Sequence, residues 1–456
     1  MKIQFLGATR TVTGSRFLLK EDKTSILVDC GLFQGRKEWR QRNWEPFPVD
    51  PRSIDAAFLT HAHIDHSGYL PRLYQEGFRG PVYCTAGTAA LLDILLRDSA
   101  HLQEEEAAYA NKKGYSRHRP ALPLYTTQDA ECVLQQVRNV EFGAPRAFGP
   151  FTATFSSAGH ILGSAFISIA AHGRKILFSG DVGRYDAEVT NPPSDMPETD
   201  VLLLESTYGN RSHDHEGTEQ TLARIINTTY HRCGVVLAPA FSVGRCQTLL
   251  YYIRKLEESG AIPRRPVYID SPMAVDATEI YVEHARDPNI RIPLSTDPEH
   301  CAIKCSEAHF VRTREESLRL NSLEGSCIII SANGMATGGR VLHHLRRLLP
   351  SPKHTVLFVG YQAEGTRGRA LVDGTKMIKI HGQYVDVNAR IESVDHFSAH
   401  ADANDLITWV CTAPRPPQTI YLVHGEPDAQ EVLASRLKAD VFANVVIPDY
   451  REEFDV

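Results

Sequence analysis

A chain of 456 residues, 42% hydrophobic and 23% charged, has room for two or three domains and the composition of an ordinary soluble globular protein. Its net charge of −6 does not advertise a nucleic-acid binder, although a basic cleft can coexist with an acidic exterior. No apolar run reaches the roughly eighteen residues of a membrane span, and Met1–Gly7 reads as a first strand rather than a signal peptide, so the expected location is the cytoplasm. The nine cysteines are odd in number and form no Cys-x-x-Cys, which suits small buried hydrophobes in a reducing compartment.

In chain order, short apolar runs punctuated by glycine read as buried strands at residues 25–29, 56–60, 81–85, 151–156, 175–179 and 201–204. Residues 88–110 read as one or two helices, so the region to about 205 is expected to be packed sheets with covering helices. Near 210 the pattern changes to alternation: helix at 218–230, strand at 234–238, helix at 247–259, then strands at 267–270, 327–331 and 354–360. That alternation predicts an open α/β sheet. After Gly382 short strands return, notably at 419–424. No Pro/Gly/Ser linker separates the parts, which fits one domain inserted into another.

Residues 61–66, His-Ala-His-Ile-Asp-His, follow the strand-like run 56–60 and place three histidines and an aspartate on one loop. Imidazole nitrogens and carboxylate oxygens form a typical zinc ligand set. Four such groups exceed what one tetrahedral zinc uses while keeping a position open for water, so the surplus implies two metals. Asp29, His160, Asp181 and His424 also sit at the ends of strand-like runs, each beside a glycine. Taken singly, Asp29 or Asp181 suits a turn, and a lone histidine is more often a structural, hydrogen-bonded one.

Together, Asp29, His61-x-His63-x-Asp65-His66, His160 and Asp181 resemble the motifs of the metallo-β-lactamase superfamily. Leu204-Glu205-Ser206-Thr207-Tyr208, Phe397-Ser398-Ala399-His400-Ala401-Asp402 and Val423-His424-Gly425-Glu426 resemble the three motifs of its β-CASP nucleases, in order. The resemblance spans nearly the whole chain. It implies an αββα sandwich in residues 1–207, an inserted α/β β-CASP domain in 208–384, and completion of the sandwich by 385–456. It further implies two zinc ions per chain, one on His61, His63 and His160, the other on Asp65, His66 and His424, with Asp181 bridging. Asp29 would orient histidines rather than bind metal. A histidine in the third motif, His424, favours RNA over DNA, and the chain is similar to compact prokaryotic relatives of the nuclease that cleaves mRNA 3′ ends.

The implied activity is hydrolysis of single-stranded RNA by a metal-bridging hydroxide. Asp65 would orient that hydroxide, His400 would protonate the leaving oxygen, and Glu205 would hold His400 and favour its charged form. Ser398 would donate to a phosphate oxygen. The loop from Ser331 to Arg340 could cradle a phosphate through its amides. Arg245, Arg340, Arg367 and Arg369 are candidates to line an RNA groove, with Tyr361 and Phe241 candidates for base stacking, though core packing suits the aromatics better. The histidines His343, His344, His354 and His381 are expected at a surface or interface, with no metal assigned to them. Competing readings are a binuclear hydrolase of another small substrate and a non-catalytic RNA-binding scaffold. Endo- against exonucleolytic cutting and oligomeric state, a homo-oligomer included, stay open at this level.

Overall fold

The computed structural model describes residues 1–114, 118–212, 217–394, 397–441 and 443–456. The chain divides into two compact units: Met1–Ser212 with Asp287–Ile290 and His400–Val456, and His213–Arg286 with Arg291–Ala399. No helix among the described residues is long and apolar enough to cross a membrane.

The first unit is built on two seven-stranded sheets. One runs, in spatial order, Glu453–Asp455, Lys2–Phe5, Phe17–Glu21, Thr24–Val28, Ala56–Phe58, Val82–Thr85, Val137–Val140. The other runs Asn444–Val446, Thr419–Val423, Val201–Glu205, Arg174–Phe178, Ala165–Ala171, Phe151–Ser157, Arg146–Phe148. Successive side chains of a strand point to opposite faces, and both faces here are apolar. Ile26, Val28, Ile176, Phe178, Val201 and Leu203 enter one core shared by the two sheets. Their neighbours Leu27, Leu177, Leu202 and Leu204 point the other way, into two outer cores.

One outer core is roofed by helices Leu70–Gln75, Ala86–Lys113 and Thr127–Leu134, the other by Ala403–Cys411 and Pro427–Asp440. The result is an αββα sandwich, as expected. Aromatic rings join the sheets, with Phe5 and Tyr421 centroids 5.1 Å apart and Phe58 and Phe155 6.3 Å apart. Each such pair contributes about 1 kcal/mol beyond area burial.

Residues 88–110 fall in a single helix, Ala86–Lys113. The Thr85 side chain caps its start by accepting from Thr88 N, and Gly114 ends it in the left-handed conformation at φ 67°.

The second unit holds a six-stranded, all-parallel sheet ordered Ala308–Phe310, Val267–Asp270, Ile328–Ser331, Val236–Pro239, Thr355–Phe358, Arg390–Ser393. A separate two-stranded hairpin, Met377–Ile380 with Gln383–Asp386, also belongs to this unit. Buried Leu237, Ile329, Val356 and Phe358 pack with Leu345 and Leu348 of helix Val341–Leu348. The expected alternating α/β pattern is present here.

Candidate metal centre

Strand Ala56–Phe58 delivers His61 and His63 to the loop at its end, and His63 starts the short helix Ile64–Ser67 that carries Asp65 and His66. This loop is laced to the segment after strand Thr24–Val28 by backbone bonds: Cys30 N donates to His66 O at 2.7 Å and Leu32 N to Ile64 O at 2.9 Å. Asp29, in the left-handed region at φ 58°, turns its carboxylate inward. It accepts from His66 Nδ1 at 2.8 Å and from Thr60 N at 2.8 Å. The Thr60 hydroxyl lies 3.1 Å from His61 Nδ1. One carboxylate thereby orients His66 directly and His61 through a hydroxyl, the role carboxylates take behind metal-bound histidines.

Three neighbouring parallel strands of the second sheet supply the opposite wall. Val201–Glu205 lies between Arg174–Phe178 and Thr419–Val423. Their carboxyl ends therefore emerge side by side and present Asp181, Glu205 and His424, while His160 arrives from the end of Phe151–Ser157. His424 also adopts a left-handed backbone, φ 50°.

The donor atoms converge. His63 Nδ1 lies 3.0 Å from His61 Nε2 and 3.3 Å from His160 Nε2. The two oxygens of Asp181 face two groups: Oδ2 is 3.4 Å from His61 Nε2 and 3.5 Å from His160 Nε2, whereas Oδ1 is 3.2 Å from His66 Nε2 and 3.6 Å from His424 Nδ1. His424 Nε2 sits 3.4 Å from Asp65 Oδ2. Two ligand groups result, His61/His63/His160/Asp181 and Asp65/His66/His424, each with donor atoms within 4.8 Å of one another.

Beside them, His400 Nδ1 lies 3.1 Å from Glu205 Oε2 and 3.8 Å from Asp181 Oδ2. The His400 ring packs 4.6 Å from that of His160. Glu205 is fully buried and also accepts from Val182 N at 2.6 Å and Thr207 Oγ1 at 2.7 Å. Thr207 Oγ1 is in turn 3.0 Å from His424 Nδ1.

Electrostatics suit a cation. Burial pushes His63 down to about 3 and lowers His61 and His160 as well, so all three imidazoles are neutral at pH 7 and have lone pairs to give. Burial alone would lower His66 too, but Asp181 and Asp29 outweigh it and raise that histidine well above its ordinary value. Burial disfavours ionised Asp65 and Asp181, yet the surrounding imidazoles hold both below the usual carboxylate range. Asp181 Oδ1 is buried and makes no well-aligned hydrogen bond among the described residues. The three neutral imidazoles and the anionic carboxylates of Asp65 and Asp181 match the donor chemistry of a transition-metal site.

The remaining sequence candidates lie in the second unit. Ser331 is buried at the end of its strand and donates to Asp270 O at 3.2 Å. Arg340 pairs with the buried Asp270 carboxylate at 2.8 Å and donates to Arg312 O. Arg245 is buried at the start of helix Arg245–Glu258, and Ser398 is buried as well. Arg367 donates to backbone carbonyls and Arg369 pairs with Asp373. His344 is buried against Asp270 at 2.7 Å, and His343 stacks on His381 at 4.7 Å. Sequence reasoning missed Thr60 and Thr207, the hydroxyls that link carboxylates to histidines. Their position beside motif residues was the available signal.

Three family descriptions match the chain in register with these elements: a beta-lactamase superfamily domain over residues 24–232, a Beta-Casp domain over 246–371, and a Zn-dependent metallo-hydrolase RNA specificity domain over 384–448. Ribonuclease TTHA0252 of Thermus thermophilus is 35% identical over 429 residues, covering 94% of both chains. The chain belongs to the β-CASP family of the metallo-β-lactamase superfamily. An RNase J-like protein of Methanocaldococcus jannaschii is 31% identical, with 93% of this chain and 92% of that one covered. The transcription termination factor FttA of the same organism is 29% identical over 93% of this chain and 67% of its own length. A solved structure of a protein of unknown function from Enterococcus faecalis aligns at TM-score 0.54 and 14% identity over 99% of both chains, a likeness of fold. In this β-CASP protein the matched regions carry every residue of the two ligand groups.

Proposed function

We propose that this β-CASP protein is a zinc-dependent ribonuclease that hydrolyses phosphodiester bonds of single-stranded RNA. The observation that carries the reading is the His400–Glu205 pair set against the two ligand groups. A metal cluster alone would serve many hydrolases, whereas a held histidine beside it suits expulsion of an alkoxide leaving group. The names of the Thermus and Methanocaldococcus relatives and the RNA specificity region at 384–448 support RNA as substrate.

His61, His63 and His160 would hold one zinc, and Asp65, His66 and His424 a second, with Asp181 between them. When bound, zinc lowers the pKa of water to about 7 and offsets charge on the phosphate. Asp65, held ionised, would accept a hydrogen bond from the attacking hydroxide and orient it. His400 keeps its Nδ1 proton on Glu205, so Nε2 is the atom that delivers a proton to the departing oxygen. Buried Glu205 is fixed by Val182 N and Thr207, which limits the His400 ring to one orientation. Ser398 is assigned to a non-bridging phosphate oxygen; Ser331 and Arg340 are committed to Asp270 and Arg245 is buried, so none of these three is assigned to RNA.

The test pairs two variants with metal analysis and cleavage of labelled single-stranded RNA. His400→Ala keeps two zincs per chain and loses at least about a hundredfold in rate. His63→Ala loses zinc and activity together. Native-rate cleavage by His400→Ala, or loss of its zinc, rejects the role assigned to that residue.

A further inference from the structure

The loop that presents His160 is held by a residue far from every metal motif. Asn289 lies on the four-residue segment Asp287–Ile290, which belongs to the first unit although the chain on either side of it belongs to the second. Asn289 is fully buried. Its Oδ1 accepts from Ser157 Oγ at 2.7 Å, Gly159 N at 2.8 Å and Ser164 Oγ at 3.2 Å. Its Nδ2 donates to Ser164 O at 3.0 Å and Asp287 Oδ1 at 2.9 Å. Partners on both sides fix which end of the amide is oxygen: Gly159 N can only donate, and Ser164 O can only accept.

The contact passes on to the ligand. Ser164 Oγ accepts from His160 N at 3.1 Å and Ile161 N at 3.2 Å. Asn289, Ser164 and the His160 backbone therefore form one chain of hydrogen bonds, and Asn289 also grips Gly159, the residue just before the histidine. On its far side the loop is anchored separately, where Thr85 Oγ1 and Thr88 Oγ1 donate to Gly163 O at 2.6 and 2.8 Å. The segment itself is clamped from outside: Asn191 N donates to Asn289 O, and Asn191 Nδ2 to Pro288 O and Ile290 O.

We propose that Asn289 is a positioning residue for the metal centre, setting His160 in the geometry that its zinc requires. The inference rests on the zinc reading above. Groups behind metal ligands typically change metal affinity by about 10–100-fold when removed. Asn289→Asp keeps the shape but places an oxygen against Ser164 O and a negative charge beside Asp287. Ser164→Ala removes only the middle of the chain.

The experiment measures zinc per chain, zinc affinity by competition with a chromophoric chelator, and the d–d absorption of the cobalt-substituted protein, alongside melting of the metal-free form. Expected for Asn289→Ala is a loss of about 10–100-fold in affinity for one of two zincs, with altered cobalt absorption and the second site intact. Asn289→Asp and Ser164→Ala shift the same site in the same direction, and they carry the test if the alanine variant does not fold. Wild-type zinc affinity in folded variants, even with a lowered metal-free melting temperature, makes Asn289 a structural brace only and overturns the proposal. A wild-type chain that binds no zinc instead rejects the zinc reading, so the two failures are distinguishable.

Discussion

At Gly31 a β-carbon would lie 1.6 Å from the backbone oxygen of Asp65 and 2.7 Å from His66 N. Both contacts are backbone and cannot swing aside, so the approach of these two segments is set by the absence of a side chain. Gly31→Ala forces the 61–66 loop outward; overpacking of this kind costs about 1–3 kcal/mol. The expected result is a lower melting temperature together with less zinc per chain, measured by calorimetry and metal analysis. Native values for both reject the argument. The candidate metal ligands were legible in the sequence because only a few residue types bind zinc and several crowd into positions 61–66. Thr60 and Asn289 were not, since hydroxyls and amides occur everywhere and acquire meaning only from what they touch.

Among the elements, helix Ala403–Cys411 shows how a sequence reading stops short. Its N-cap Asp402 accepts from Asn404 N and Asp405 N, forming a capping box with Asp405. Burial, with Asp402 and Asp186 nearby, pushes Asp405 up to about 6. In an unfolded chain an aspartate titrates near 3.8. Between about pH 4 and 6, therefore, the folded protein holds a proton that the unfolded chain has released. Stability falls as pH rises through that window, and the loss persists above it. Asp405→Asn removes the penalty and keeps an acceptor for the cap. In metal-free protein it should gain on the order of 1 kcal/mol at pH 8, after allowing for solvent screening, and nothing below about pH 4. Denaturant unfolding at both pH values decides it, and an equal effect at the two would reject the assignment.

The strands at 56–58, 174–178 and 201–205 were readable as apolar runs. Strand Ala165–Ala171 and helices Ala403–Cys411 and Pro427–Asp440 were not anticipated. Alanine and serine interrupt the first, and the helices occupy a stretch whose motif residues drew attention to chemistry rather than periodicity.

For the whole molecule, the ligands come from positions as distant in sequence as His61 and His424, yet all lie in one compact unit. Unfolding disperses them, so zinc held as proposed would bind only the folded state and stabilise it by mass action, about 4 kcal/mol when free zinc exceeds its Kd a thousandfold. Chelation should lower the melting temperature, stoichiometric zinc should restore it, and magnesium should not, because a nitrogen-rich site favours a softer ion than magnesium. Scanning calorimetry with and without chelator is the measurement. An identical curve in both conditions removes zinc from the stability of the fold.

The sequence by itself determined the chemistry and the layer pattern, because both depend on residue type. Histidine and aspartate are among the few residue types that can bind a transition metal, and strands apolar on both faces must be covered on both faces. Tertiary structure alone decided which groups converge on what. Val201–Glu205 lies between Arg174–Phe178 and Thr419–Val423, and that order sets Glu205 beside Asp181 and His424. The return of Asp287–Ile290 to the first unit puts Asn289 behind His160. Neither follows from local patterning, since strand order and a single buried amide are fixed by long-range packing and by the need to pair every buried polar group.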